Sequence, residues 1–436
     1  SVHPFIDRRQ ALREDPAYVP PLEHPLLEEP LRETLGTIIF QDQVLEVAMA
    51  VAGFSIGEAE GLRRALSRKR SEAAIEAFRG RFVEGAQRKG VGERLAHEIY
   101  DKVRGFAGFG FPKSHSAAFG LLAYQSQWLR HHYPAEFLCA LLNEQPMGFY
   151  PPAALVRDAQ RRNVEVLSPD VNRSHAKARI EGTAVRVGLE YVQSVGKDDA
   201  KALVEERKRK GPFTDVVNLA QRAQLSQDGL EALVRSGACD CFASPRRVLL
   251  WELGLVPRSE SVPGTQGEER QLALPLDPTV ETPALRDHTP WERMLADYRT
   301  TSISVGVHPL ELLRPHLDTD VLNSEQLANM SNGTRVRIAG MAIARQRPST
   351  AKGVVFMLLE DEHGQMNLII PPPVYERHRA LVRGEPLLLA HGRFERRDRN
   401  MNVLVDKVET LGPLARQVAE LDVGDALPKA HHFGHR

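Results

Sequence analysis

The sequence predicts a mixed α and β, multidomain protein, with helical units over roughly the first 258 residues and a small closed β-barrel after residue 320. Three features carry that expectation. Apolar residues near the start recur at helical spacing, at Val44, Val47, Ala48 and Val51. Further on, a glycine hairpin separates two helical stretches in VQSVGKDDAKALVEERKRKGPF. Last, residues 333–411 hold five strand-like runs with a helix between the third and fourth. A length of 436 residues fits about three domains of ordinary size.

Residues 1–148 read as one helix-rich domain. QDQVLEVAMAVAGF is its first clear helix, and Ser55 with Glu58 forms a capping-box pair for a helix through Arg64. Another helix is expected over residues 71–88, ending near Gly90. A glycine-rich turn follows at residues 105–110, and Pro112 stops helix before it. Ser114 or Ser116 then caps a helix to His131.

Residues 149–258 read as a second helical domain. A short helix, the turn at Gly196 and a longer helix have the shape of a helix-hairpin-helix element, whose exposed N–H groups and Lys197 suit a DNA phosphate. Such hairpins usually carry two glycines, and Ser194 stands at the first position here. LSQDGLEALVRSGACDCF follows as a second helical pair. Residues 259–320 read as linker and helical connector: SESVPGTQGEER lacks periodicity, and residues 291–304 look helical.

In residues 321–412, RVRIAGMAIARQ alternates with Val336 and Ile338 inward and a bulge expected at Gly340. VVFMLLED, the DEHG turn, QMNLII, the helix PPPVYERHRALVR, PLLLAHGRFERR and MNVLVDKVETL complete the order of an OB-fold. Residues 413–436 form a tail.

Charge is balanced, with 57 basic and 57 acidic residues, but unevenly placed. GLRRALSRKR, residues 61–70, holds five basic residues and no acid, and RFERRDR, residues 393–399, is a second basic patch. A solvated face explains either patch as well as nucleic acid does. No run of ~18 apolar residues is present, so no membrane partner or span is expected and a cytoplasmic location is. Three cysteines fit a reducing compartment. Cys239 and Cys241 lack a second ligand pair at zinc spacing and read as ordinary thiols. The opening SVHPF carries neither Met nor a signal region and reads as a start inside a longer protein.

LGTIIFQDQVLEVAMAVAGFS, EGLRRALSRKR and GFAGFGFPKSHSAAFGLLAYQSQWLRHHYPAEF resemble the fingers of the bacterial C-family, DnaE-type polymerases, both replicative and error-prone. The resemblance continues through the hairpin region and the OB-fold. The tail KAHHFGHR resembles that of the error-prone branch, and about 25 residues after the barrel leave no room for the further domain of replicative relatives. The resemblance implies a DNA-directed DNA polymerase of damage-induced translesion synthesis, associated with the nucleoid. It places catalytic Mg2+ on palm aspartates upstream of the fingers, so no catalytic carboxylate is assigned here and the chain alone is expected not to extend a primer. Two other readings stand beside it: a truncated replicative subunit, and a non-enzymatic DNA-binding module with hairpin and OB units.

Arg63 and Arg64 suit triphosphate oxygens, because guanidinium groups bind phosphate bidentately. Lys113, Ser114 and His115 offer an ammonium, a hydroxyl and an imidazole beside a glycine turn, and by resemblance all five bind the incoming dNTP. Exposed helix arginines are common, and His115 alone reads as a structural histidine. Arg68, Lys69, Arg70, Gly196 and Lys197 are the candidates for the primer–template. Arg337, Arg345, Arg347, Lys352, Arg393, Phe394, Arg396, Arg397 and Arg399 are the candidates for single-stranded template, with Phe356 either a base platform or core. QLALPL, with Gln271, Leu272, Leu274 and Leu276, resembles the peptide by which bacterial polymerases hold the sliding clamp. The resemblance also implies a polymerase-like adaptor, through which clamp contact would be indirect, and a RecA-like accessory protein.

Overall fold

The structure is a computed structural model that describes residues 3–67, 72–107, 112–147, 150–256, 283–348, 351–397, 400–420, 427–428 and 430–433. The chain divides into two compact units, Ser1–Trp128 and Leu129–Arg436.

The first unit is helical. Val44, Val47, Ala48 and Val51 of the helix Gln41–Ala52 are fully buried, against Leu62, Phe82 and Tyr100 of the helices Ile56–Ser67, Glu72–Arg88 and Glu93–Ala107. Ser55 and Glu58 form the expected reciprocal cap: the Glu58 N–H donates to Ser55 Oγ at 3.3 Å and the Ser55 N–H to the Glu58 carboxylate at 2.9 Å. Gly85 lets two helices touch, since a Cβ there would lie 2.1 Å from the Ala52 carbonyl oxygen. Gln43 pins residues 30–40 to the start of its helix. Its amide nitrogen donates to Thr34 Oγ1 at 2.7 Å, and its oxygen accepts from the Ile39 and Phe40 N–H groups at 2.8 and 3.0 Å.

The helix Lys113–His132 starts one residue after Pro112. Ser114 and Ser116 do not cap it, contrary to expectation. They lie inside its first turn, and Ser116 Oγ donates back to the Pro112 carbonyl at 3.1 Å. The cap comes from outside, because the Lys113 N–H donates to Asp42 Oδ2 at 3.0 Å.

The second unit opens with the helices Pro134–Asn143 and Pro152–Gln160 and a three-stranded sheet that the helical reading of residues 149–258 missed. Its strands are β1 (Val166–Leu167), β2 (Arg179–Glu181) and β3 (Ala184–Arg186), with β3 central. Runs of two or three residues carry no readable period. The hairpin follows: a single 3-10 turn, Leu189–Tyr191, leads through Ser194 and Gly196 into the helix Lys197–Lys210. Ser226 caps the helix Gln227–Arg235, accepting from the Gly229 N–H at 3.2 Å. Burial pushes the Cys239 and Cys241 thiols up, the latter to about 11, so both stay neutral.

The barrel is built from strands β5 to β9. A short strand β4 (Val321–Leu322) precedes it, and β5 is Arg335–Gln346, β6 Val355–Glu360, β7 Gln365–Ile370, β8 Leu387–Arg397 and β9 Asn400–Thr410. They pair in the order β5-β6-β7-β9-β8 and close through β8 on β5, the expected OB topology. Val336, Ile338, Met357, Leu368, Phe394 and Val403 fill the interior. The other face of β5 is also buried, since Ala339, Met341 and Ile343 lie against Trp291, Leu295, Leu310 and Ala415 of flanking helices. The bulge is not at Gly340. Register shifts between Ala342 and Ala344, and Gly340 serves a close approach instead: a Cβ there would lie 2.7 Å from Leu359 Cβ. A strand β10 (His431–Phe433) pairs in parallel with Ala344, Arg345 and Gln346 of β5.

A buried polar network joins the barrel to the helix Pro152–Gln160. Arg157 donates to the Gly306 and Val307 carbonyls at 2.8 and 3.0 Å, and Arg161 contacts the buried Glu360 at 3.1 Å. His308 Nδ1 accepts the Leu310 N–H at 3.1 Å, which leaves the ring hydrogen on Nε2, 3.8 Å from Glu360.

Candidate nucleotide and nucleic-acid interface

In the first unit, the cations named for the triphosphate are held by acids. Arg63 grips Glu60 through two bonds of 2.8 and 2.7 Å, and Arg64 Nε reaches the same carboxylate at 2.9 Å. These two guanidiniums hold the Glu60 carboxyl down to about 2. The Lys113 ammonium binds Glu33, and that bond, with the nearby charges of Glu46 and Asp42, raises its pKa. The charge of Asp42 also acts on Arg63, so the two candidate phosphate groups lie around one carboxylate. Ser114 and His115 are exposed beside Lys113 in the same first turn, the His115 ring 4.4 Å from that of Phe119. Arg68, Lys69 and Arg70 lie outside the described residues.

At the hairpin, Ser194 takes the left-handed backbone, φ 62°, that the usual glycine would supply. The turn survives the substitution. The Gly196 N–H is another matter: it donates to Asp199 Oδ2 at 3.0 Å, so the expected contact from Gly196 to a phosphate is corrected. A capping carboxylate already sits where the anion would. Lys197 is exposed beside it.

The barrel corrects more. Phe394 is fully buried and belongs to the core, not to a base platform. Arg345 is 6% exposed, its guanidinium donates to the Glu385 carbonyl, and burial lowers its pKa to about 10. Arg337 is divided between Asp320 at 2.7 Å and Asp318 at 3.0 Å. Phe394 and Arg345 are not presented to a strand of nucleic acid, and Arg337 is paired at the surface. Arg396 donates to the Ala328 carbonyl, and Arg347 stacks 4.4 Å over the Tyr375 ring. Lys352 and Arg393 are exposed, Arg393 with Glu395 at 3.2 Å. The side chain of Arg397 and all of Arg399 lie outside the described residues, as do Gln271, Leu272, Leu274 and Leu276.

What charge counting missed is a row set by register. Gln346 pairs with Phe356, Phe356 with Ile369, Ile369 with Leu404, Leu404 with Arg393, and Arg393 with Arg335. Directly paired residues share a face, so the row crosses the outside of the barrel. None of the six is buried, and Phe356 is 38% exposed. A parallel row holds Leu358, Asn367, Asn402 and Glu395. The signal was legible in VVFMLLED: Val355, Met357 and Leu359 turn inward, which sends Phe356 out.

Three family comparisons agree with this layout. The bacterial DNA polymerase III alpha subunit finger domain matches residues 1–90, the helix-hairpin-helix motif residues 163–249, and the OB-fold nucleic acid binding domain residues 336–411. An error-prone DNA polymerase of Corynebacterium efficiens is 40% identical over 414 residues, covering 94% of this chain and 37% of that protein. One from an Anaeromyxobacter species is 41% identical over 423 residues, covering 94% and 36%. The chain thus spans little more than a third of these relatives. An asparaginyl-tRNA synthetase structure from Pyrococcus horikoshii matches 21% of this chain and 23% of its own at 17% identity and a TM-score of 0.19, which carries no argument. With finger, hairpin and OB matches in this order and relatives named error-prone DNA polymerase along nearly its whole length, the chain belongs to the bacterial DnaE-type DNA polymerase III alpha family.

Proposed function

We propose that this chain is the part of an error-prone, DNA-directed DNA polymerase that holds incoming dNTP and DNA during translesion synthesis. The observation that carries the reading is the pair Arg63 and Arg64 on one helix turn, sharing Glu60, inside the span that matches the finger domain. A triphosphate brings more negative charge than one carboxylate and two geometrically matched oxygens per guanidinium. Binding therefore exchanges Glu60 for phosphate at the same donors. Lys113, released from Glu33, would neutralise a second phosphate, with Ser114 and His115 beside it.

A catalytic Mg2+ does not fit these residues. Glu33, Asp42 and Glu60 are taken up by Lys113, Arg63 and Arg64, and among the described residues no group of three or more metal-ligating side chains converges. The reading assigns the ion to a palm elsewhere in the polymerase. Single-stranded template is assigned to the outer row of the barrel, with Phe356 stacking a base and Arg393 and Lys352 meeting phosphates. Contact with a sliding clamp through QLALPL or through an adaptor, and with a RecA-like accessory protein, belongs to the same proposal.

In the full-length polymerase, Arg64→Ala should raise KM for dNTP about 10- to 100-fold, the loss of one charge-assisted bond of about 1.5–3 kcal/mol. DNA affinity should change little. Steady-state incorporation on a primed template measures both, and unchanged nucleotide kinetics for Arg63→Ala and Arg64→Ala alike would return these arginines to structural pairing with Glu60.

A further inference from the structure

A second phosphate-sized feature lies away from the hairpin. The loop 172–179, NRSHAKAR, leading into β2, carries three cations and a histidine and no acid. It is held rigidly. Asp170 Oδ1 accepts the Asn172 N–H at 2.7 Å, Ser174 Oγ donates to the Val187 carbonyl at 2.8 Å, and Arg207 donates to the Val171 and Ser174 carbonyls at 2.7 and 2.8 Å. The loop and β2 enclose an open pocket of about 190 Å³ with Arg173, His175, Arg179, Glu181 and Arg186 on its walls.

Its charge is unbalanced. Arg173 and Arg186 share the one carboxylate, Glu181. The guanidinium of Arg179 instead lies 3.0 Å from His175 Nε2, a neutral acceptor. Burial, then Arg179, Arg207 and Lys208, push the His175 pKa down and keep it uncharged. Two exposed arginines therefore face a preformed concavity whose one lining acid, Glu181, is shared with Arg186, itself also near the charges of Asp170 and Glu165. No phenyl, phenol or indole ring lines it, so a base finds no platform there, while an oxyanion finds guanidinium donors.

We propose that this pocket is a site for one phosphate group of a duplex DNA backbone, held by Arg173 and Arg179 and separate from the hairpin. The site rests on the reading of the chain as DNA-binding and extends it. Arg207, which fixes the loop, lies on the helix Lys197–Lys210 that begins at the hairpin. Binding moves the Arg179 donors from His175 to the phosphate and lets His175 take a proton.

The test uses the whole chain and a short duplex, with fluorescence anisotropy across a salt series. Arg173→Ala/Arg179→Ala should flatten the slope of log affinity against log salt by about 0.9, the share of one duplex phosphate, and Arg179→Ala by part of that. Arg94→Ala, which removes an exposed arginine from a helix of the first unit, should leave the slope unchanged. Duplex binding by the wild type with an unchanged slope in the double variant overturns this site while the DNA-binding reading stands; no duplex binding by the wild type overturns both. In a second arm, inorganic phosphate is titrated against the His175 ring resonances. A saturable shift together with an unchanged DNA slope would make the pocket a free-phosphate site and also overturn the assignment to backbone.

Discussion

The helical finger unit and the OB barrel both pair surface cations with acids, but they differ in what lies beside those cations. In the finger unit, Arg63, Arg64 and Lys113 are paired with acids at the surface, so a stronger anion can take them over. In the barrel, Arg345 donates to the Glu385 carbonyl and Arg337, Arg335 and Arg393 are paired with acids at the surface, but the outward face adds an apolar and aromatic row beside Arg393 and Arg335. On the proposed function, the difference follows the ligand. A triphosphate is read almost wholly through charge, whereas a single strand is read through base stacking with phosphates at the margin. A list of basic residues therefore anticipates a nucleotide site better than a template track.

The comparison breaks most visibly at the two phenylalanines. Phe394→Ala empties the barrel interior and should cost about 3–5 kcal/mol, read as a fall in the urea midpoint. Phe356→Ala, on the outer face, should cost far less, and equal losses would erase the distinction between core and platform. A smaller effect belongs to the joint beneath the barrel. Burial first, then the charges of Arg157, Arg161 and Arg314, push the His308 pKa well below the usual value, with Glu360 facing its Nε2. The unfolded chain then binds more protons below about pH 6.5, so stability should fall as pH drops through that point, by up to ~1.4 kcal/mol per unit. Glu360, raised by burial, acts in the opposite sense at lower pH. A pH series of unfolding midpoints should lose the component near 6.5 in His308→Gln and keep it in wild type. The smallest effect is at the hairpin. Ser194→Gly relieves left-handed strain of ~1–2 kcal/mol and gives back ~0.4–1 in unfolded-chain entropy, a net gain of roughly 0.5–1 kcal/mol in thermal unfolding.

Much of the fold was legible because its signals are local and repeated. Val44, Val47, Ala48 and Val51 announce their helix, Ser55 and Glu58 its neighbour's cap, and the alternation around Val336 and Ile338 the barrel wall. The strands β1 to β3 were not legible, being too short to show a period. Gly340 misled because a glycine in a strand serves either a bulge or a close approach, and only the neighbour Leu359 decides which. The site was half legible. Arg63 and Arg64 are adjacent in sequence and in space, but Lys113 meets Asp42 across 71 positions, and the row from Phe356 to Arg393 exists only once five strands are in register. Phe394 and Phe356 differ in strand parity, which a count of aromatics ignores.

The most direct test of that outward row is single-strand binding by the chain, measured with one fluorescent oligonucleotide across a salt series. Phe356→Ala should weaken binding by about 1–3 kcal/mol with the salt slope intact, as loss of one stacked base requires. Arg393→Ala should instead flatten the slope by about 0.7, the share of one phosphate on a single strand. Phe356→Ala binding as tightly as wild type, with the barrel folded, would contradict the account and remove the template from this face.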